Sequence, residues 1–106
     1  MNATTLKALE ASIRHWERMR DGKRRMVGPR NNQSLEAPEA PDCALCRRFR
    51  GDNCVGCPVA DSTGVPHCND TPYDAAFTSW DVYGIESRQF ILAAGREVEF
   101  LRGLLP

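Results

Sequence analysis

The sequence predicts a mainly α-helical protein, with two long amphipathic helices and one short helix around a small metal-stabilised cysteine-rich loop region. Two observations support this fold class. Apolar residues recur at helical spacing near both ends of the chain, and all five cysteines lie between Cys43 and Cys68. A chain of 106 residues has the length of a single domain, here residues 1–106.

The first helix is predicted at about residues 4 to 21. Its apolar residues form one stripe at steps of three or four: Leu6, Leu9, Ile13, Trp16 and Met19. Thr4 or Thr5 is expected to cap this helix, and Asp21-Gly22 is expected to end it. His15 lies off the stripe, so we expect it to be solvated or to face a partner rather than to bind metal.

Two more helices are predicted after the cysteines. The shorter one covers about residues 72–82, with Thr71 as its N-cap, Pro72 in its first turn and Asp74 as the acid of a capping box. The last helix covers about residues 86–104. Its apolar stripe consists of Phe90, Ile91, Ala94, Val98, Leu101 and Leu105.

The first and last helices are the elements long enough to share a core, and we expect Trp16 and Leu101 to be buried in it. The Gly, Pro and Asn residues between the first helix and the cysteines predict a loop, either mobile or containing a short turn around Ser34 to Ala37. The predicted segments are an N-terminal helix (1–26), a connector (27–42), a cysteine-rich metal-binding region (43–70) and a C-terminal helical pair (71–106).

The cysteines predict one metal site. They form two Cys-x-x-Cys pairs and a single residue: Cys43 and Cys46, Cys54 and Cys57, and Cys68. Each pair presents two thiolates on one side of a turn, and structural zinc takes four such ligands at roughly 2.3 Å. We therefore expect one zinc ion bound by cysteine sulfur alone. Which four cysteines bind is left open, with Cys54 or Cys68 as the spare thiol.

Other chemistries fit the cysteines less well. The odd count and the absence of an apolar run at the N-terminus disfavour a disulfide framework. A thioredoxin-like pair would need a strand before Cys43, and no strand-like run is present there. An iron–sulfur cluster is the alternative that stays open, because Cys57-Pro58 resembles the end of a ferredoxin motif, although the compact C-x2-C-x2-C run is missing.

The net charge is zero but unevenly distributed. Residues 1–50 carry 11 basic and 6 acidic side chains, and residues 51–106 carry 3 and 8. Two basic clusters stand out: Lys23, Arg24 and Arg25, and then Arg47, Arg48 and Arg50. The first matches a helix C-terminal dipole and the second compensates thiolate charge, while contact with nucleic-acid phosphates is the alternative for both.

The chain resembles a set of small cysteine-rich proteins encoded by bacteriophages and prophages. The resembling residues are Ile13-x-x-Trp16, Cys43-x-Leu-Cys46, Cys54-x-Gly-Cys57-Pro58-Val59, Gly64, Cys68-x-x-Thr71-Pro72-Tyr73 and Glu99-Phe100-Leu101-x-x-Leu104-Leu105-Pro106. The resemblance implies a phage context and a site of action in the bacterial host cytoplasm. It also places Cys68 in one pattern with the other four cysteines, and it implies no catalytic residue.

These observations predict a phage-type accessory protein with a structural zinc site that acts as a protein-binding module. A small nucleic-acid-binding protein that uses the basic residues is the alternative. An iron–sulfur or metal-dependent enzyme is a second alternative, for which only His67, Asp61 and Asp70 lie near the cysteines, at no recognised catalytic spacing. Self-association is possible through leftover apolar surface, and no segment is predicted to enter a membrane.

Overall fold

The computed structural model describes residues 1–68 and 70–106. The protein is mainly helical. Its α-helices are α1 (Ala3–Asp21), α2 (Ala44–Phe49), α3 (Pro58–Thr63), α4 (Pro72–Tyr83) and α5 (Arg88–Arg102). Two short strands, β1 (Met26–Val27) and β2 (Ser34–Leu35), pair antiparallel, and 3-10 turns lie at Ala40–Asp42 and Arg50–Asp52. Among the described residues, no helix combines the length and apolar character needed to cross a membrane.

The predicted first helix is confirmed as α1, with a different N-terminal cap. Asn2 is the N-cap, because its side-chain Oδ1 accepts a hydrogen bond from the backbone N–H of Thr5 at 2.8 Å. The expectation that Thr4 or Thr5 caps the helix was therefore wrong by two or three residues. Gly22 ends α1 in the left-handed conformation, at φ 70°, which glycine adopts without steric cost.

Helix α5 packs against both α1 and α4 and forms the centre of the core. Trp16 is 1% exposed and Leu101 is 2% exposed, so their predicted burial in one core is confirmed. Two members of the predicted α5 stripe, Ile91 and Leu105, are exposed. Ile91 follows the buried Phe90 and so points away from the core, while Leu105 lies beyond the end of the helix.

Helix α4 begins as the sequence predicts. The side-chain oxygen of Thr71 accepts a hydrogen bond from the backbone N–H of Tyr73 at 3.3 Å. Asp74 differs from a capping-box acid, because its Oδ2 accepts a hydrogen bond from the backbone N–H of Asp70 at 3.2 Å. The aromatic rings of α4 continue from the core in one row, in which each ring contacts the next: Trp16, Tyr73, Phe77 and Trp80.

The predicted connector is anchored by a buried carboxylate. Glu36 follows β2, is 0% exposed and accepts hydrogen bonds from the Arg18 guanidinium at 2.9 and 2.7 Å. Its Oε2 also contacts Nδ1 of His15, which is 1% exposed. The expectation that His15 is solvated or faces a partner was therefore wrong, because the carboxylate partner offsets part of the cost of burying the imidazole.

The cysteine-rich region also contributes to the helical core. Leu45 of α2 and Val59 of α3 are each 2% exposed and belong to the same apolar cluster as Trp16 and Leu101. Val55, between the two short helices, is 74% exposed. Cys43, Cys54 and Cys57 belong to the same cluster, so the region joins the core through its buried cysteines as well as through Leu45 and Val59.

Candidate metal centre

Four of the five cysteines are positioned by α2 and α3 or by the turn between them. Cys43 is the N-cap of α2 and Cys46 lies inside it, while Cys57 is the N-cap of α3 and Cys54 precedes it in a turn. Cys43, Cys54 and Cys57 are buried, whereas Cys46 and Cys68 are half-buried. All five are free thiols.

The thiols lie close to one another. Cys43 and Cys68 both lie near enough to Cys46 to change the pKa of its thiol. The Cys43 thiol lowers the pKa of Cys46, but Cys68 and burial outweigh this effect and raise that pKa to about 12. Sγ of Cys54 lies 3.7 Å from Nδ1 of His67. The segment that follows α3 thus returns to the two Cys-x-x-Cys turns.

Four cysteines surround a small cavity of about 20 Å³. Its lining includes Cys46, Cys54, Cys57 and Cys68, together with His67 and the α5 residue Glu97. Such a volume accommodates about one water molecule, and therefore one monatomic ion. A larger cavity of about 200 Å³ shares three of these cysteines and His67 and is also lined by Arg50 and Tyr73.

The backbone is strained on both sides of this cavity. In the part of the chain that the structure describes, the non-glycine residues with positive φ are Asn53, Cys54, His67, Cys68 and Asp70, with φ between 54° and 66°. Each such conformation costs on the order of 1 kcal/mol or more and persists only where surrounding contacts enforce it. Gly56, at φ 86°, supplies the conformational freedom that its place inside the second Cys-x-x-Cys pair suggests.

A buried carboxyl group on α5 faces the cysteines. Glu97 is 2% exposed, and its Oε2 is one of two buried side-chain atoms in the described residues that lack a hydrogen-bond partner, the other being Nε2 of His15. Burial, with the nearby Cys43 and Asp74, raises the pKa of Glu97 to about 8. An unpaired buried carboxyl group is costly, and its raised pKa keeps Glu97 largely protonated at neutral pH.

The thiols are neighbours, but they do not form a complete coordination sphere. Within residues 1–68 and 70–106, no three His, Cys, Asp or Glu side chains are arranged as a group that could hold a metal ion. The donor types and the cavity nevertheless suit a soft divalent cation, since thiolate and imidazole are the ligands that zinc prefers. Ion binding at this cavity would require the sulfur atoms to turn further toward one point.

The basic clusters make contacts within the chain. Arg24 Nε donates to the backbone oxygen of Glu36 at 2.7 Å, and Nε of Arg25 lies 3.9 Å from Oε1 of Glu36. Arg47 donates to the carbonyl of Pro41 at 3.4 Å. The other three members of the two basic clusters differ in their surroundings. Lys23 is exposed, Arg48 lies over the Phe49 ring and Arg50 lines the larger cavity.

The acidic residues considered for an enzyme, Asp61 and Asp70, make no side-chain hydrogen bond with His67 among the described residues. Asp61 is exposed on α3 and lines grooves with Gly56, and Asp70 is exposed in the turn before α4. Sequence reasoning missed Glu97 and Ser12, two buried polar residues beside the cysteines. Helical spacing could have found both, because Ser12 follows Leu9 by three positions and Glu97 precedes Leu101 by four.

Comparisons with protein-family models, with curated proteins and with solved structures find no match to this chain.

Proposed function

We propose that this chain is a zinc-stabilised protein-binding module in which four of the five cysteines hold one Zn²⁺ ion. One observation carries the metal proposal. Cys46, Cys54, Cys57 and Cys68 line a cavity that has room for one ion, and Cys43 is close enough to Cys46 to shift its pKa. The strained residues at the cavity give independent support, since strain of this kind clusters at ligand sites.

The charges around the cavity fit a thiolate-bound dication. Four thiolates and one Zn²⁺ leave two net negative charges, and the guanidinium of Arg50 lies at the larger cavity to offset part of them. When bound, zinc would stabilise the thiolate form of the ligands and so link the two Cys-x-x-Cys turns. His67 is placed to hydrogen-bond a ligand sulfur through Nδ1.

Metal analysis of the purified protein, combined with its visible absorption spectrum, tests this proposal. We expect a colourless protein with about one equivalent of zinc, because zinc has a filled d shell. A brown sample that contains iron and sulfide would favour the iron–sulfur alternative. A sample with neither metal that also fails to bind added zinc would contradict both.

An exposed apolar surface supports the protein-binding part of the proposal. This surface, named here the α4–α5 surface, comprises Phe77, Val82, Tyr83, Ile91 and Leu92, which are between 40% and 62% exposed. Contiguous exposed apolar side chains commonly mark interaction sites, and we propose that these five, carried on the packed helices α4 and α5, act as one. The resemblance to phage-encoded proteins supports a protein of the bacterial host cytoplasm, or of the phage, as the partner. The alternative partner for this surface is a second copy of the same chain.

A pull-down from bacterial lysate with a matched surface variant tests this role. Val82→Glu combined with Leu92→Glu places two charges on the α4–α5 surface and should abolish capture of a specific partner while zinc content stays unchanged. Capture that survives the double variant would contradict the assignment of this surface. Sedimentation of the same two proteins distinguishes self-association, which would appear as a dimer in the wild type alone.

The contacts of Arg24 and Arg25 with Glu36 support a structural role for the first basic cluster rather than phosphate binding. Nucleic-acid binding should be strongest at low salt, where counterion release favours it most. Binding of DNA or RNA there, lost on combined Arg47→Ala and Arg50→Ala substitution, would overturn the choice of a protein partner.

A further inference from the structure

Ser12 is a fully buried polar residue on the apolar face of α1, and it contacts the first Cys-x-x-Cys turn twice. Its side chain is 0% exposed. Its Oγ accepts a hydrogen bond from the backbone N–H of Leu45 at 3.1 Å and lies 3.4 Å from Sγ of Cys43. Since the Leu45 N–H uses one lone pair of Oγ, the hydroxyl hydrogen is free to point at the sulfur.

We propose that Ser12 is a positioning residue of the metal centre, whose hydroxyl donates a hydrogen bond to the Cys43 thiolate. The inference rests on the proposed function, because a thiolate at this position requires the ion. A thiolate has no hydrogen to give, so with metal bound the serine is the donor of this pair. Hydrogen bonds of this kind orient metal ligands, and losing one typically lowers metal affinity by about 10- to 100-fold.

The two contacts of Ser12 have a joint consequence for the centre. One oxygen atom fixes both the sulfur of Cys43 and the first turn of α2, the helix that carries Cys46. Ser12 thereby sets the position of the whole first pair relative to α1. Cys43 does not line the cavity of about 20 Å³, so the proposal assigns it as a ligand on its contact with Ser12 and requires its sulfur to turn toward the ion. It also makes α1 part of the metal centre as well as part of the apolar core.

Cobalt binding to three variants tests the proposal, because Co²⁺ reports thiolate ligands by a charge-transfer absorption band. Ser12→Ala should shift this band to longer wavelength, since an unbonded thiolate holds its electrons less tightly. The same variant should bind Co²⁺ about 10- to 100-fold more weakly than the wild type. Ser12→Thr retains the hydroxyl and should keep the band at the wild-type position.

Met19→Ala is the matched control. Met19 is 1% exposed on the same helix, about two turns from Ser12, so the substitution weakens the core without reaching the sulfur. Its charge-transfer band should stay in place. A wild-type protein that binds no Co²⁺ would refute the metal centre itself.

A different result is that the wild type binds Co²⁺ while Ser12→Ala binds it with equal affinity and an unshifted band. That result would overturn the proposed role of Ser12 and leave the metal centre standing. Should Ser12→Ala fail to fold, Ser12→Thr decides the question. A band shifted in that variant, although it keeps the hydroxyl, would also overturn the proposal.

Discussion

Glu36 shows how one residue can order a segment that is poor in apolar side chains. Burial alone would raise the pKa of its carboxyl group, but hydrogen bonds from Arg18 and His15 outweigh burial and lower that pKa to about 2. The carboxylate is therefore charged at neutral pH and joins the end of β2 to α1. The backbone oxygen of Glu36 is held as well, by the side chain of Arg24.

The first prediction concerns this anchor. Glu36→Gln removes the charge at nearly constant volume and should lower the free energy of unfolding by about 3 kcal/mol, the lower end of the range for a broken buried ion pair, because Arg18 is partly solvated. Urea denaturation at neutral pH measures the change. Glu39→Gln, three residues further along the same connector, is the control and should stay within about 0.5 kcal/mol of the wild type.

The same residue predicts a pH dependence. A carboxyl group with a folded-state pKa below its ordinary value of 4.5 stabilises the protein above that value, and the contribution disappears as the pH falls toward about 2. Metal-free wild-type protein should therefore lose stability over this window more steeply than metal-free Glu36→Gln protein. Parallel acid titrations of the two proteins, followed by circular dichroism, measure this difference. Titration curves that coincide would contradict this origin of the acid sensitivity.

The second prediction separates the ligands from the spare thiol. Cys43→Ser and Cys57→Ser should each abolish stoichiometric zinc binding and reproduce the chelated state, because a serine hydroxyl does not replace a thiolate on zinc. Cys54→Ser and Cys68→Ser are the informative pair, and the variant that retains zinc and folding identifies the spare thiol. Full zinc content in all four single variants would refute a cysteine-only site.

The buried polar residues Ser12, His15 and Glu97 mark the limit of prediction at this scale. Apolar spacing in the sequence correctly places Trp16 and Leu101 in the core, because their burial needs no partner to be favourable. A buried polar residue depends on a partner that is distant in sequence, such as Cys43 for Ser12. Periodicity places Ser12 and Glu97 on an inward face but His15 off the apolar stripe, and only the fold reveals the partner of each.

At the scale of elements, length decides which helices the sequence predicts. α1, α4 and α5 extend over 19, 12 and 15 residues, long enough for an apolar stripe and a cap to be recognised. α2 and α3 have 6 residues each, which is less than two helical turns, so no period is visible in them. Their N-caps are cysteines rather than Ser, Thr, Asp or Asn, so the residue type that usually marks the start of a helix is also missing.

The third prediction concerns the cap that joins α4 to the cysteines. Thr71 accepts a hydrogen bond from Tyr73 N–H, and its hydroxyl donates to the backbone oxygen of Cys68 at 2.7 Å. Thr71→Ala should cost about 1 kcal/mol of stability through the lost cap and should weaken zinc binding, because the turn that holds Cys68 loosens. Thr78→Ala, an exposed substitution within α4, is the control and should change neither quantity appreciably.

At the scale of the molecule, the helical core and the cysteine region differ in what stabilises them. α1, α4 and α5 share a continuous apolar cluster, and the buried members of that cluster from residues 43–73 are two aliphatic side chains and three thiols: Leu45, Val59, Cys43, Cys54 and Cys57. The proposed ion would supply the missing stability, of order 10 kcal/mol as in small zinc domains at neutral pH. The buried free thiols would otherwise contribute only as small apolar groups.

The fourth prediction follows from this division. Chelation should unfold residues 43–73 while α1 and α5 stay partly helical, because the apolar faces of α1 and α5 still meet. Hydrogen exchange measured along the chain should show lost protection in 43–73 and retained protection in α1 and α5. Acidification should have the same effect on 43–73, since protons compete with zinc for the thiolates. Unchanged protection of 43–73 after complete metal removal would refute a structural role for the ion.

Native mass spectrometry of the purified protein tests the central claim most directly, because it reports the metal and its stoichiometry in one folded molecule. The account predicts one zinc ion per chain, so that the bound form is heavier than the metal-free chain by the mass of zinc less the thiol protons that the ion displaces. The same sample in acid should give the mass of the metal-free chain with five thiols. A folded, metal-free chain under native conditions, even after zinc is supplied, would contradict the account.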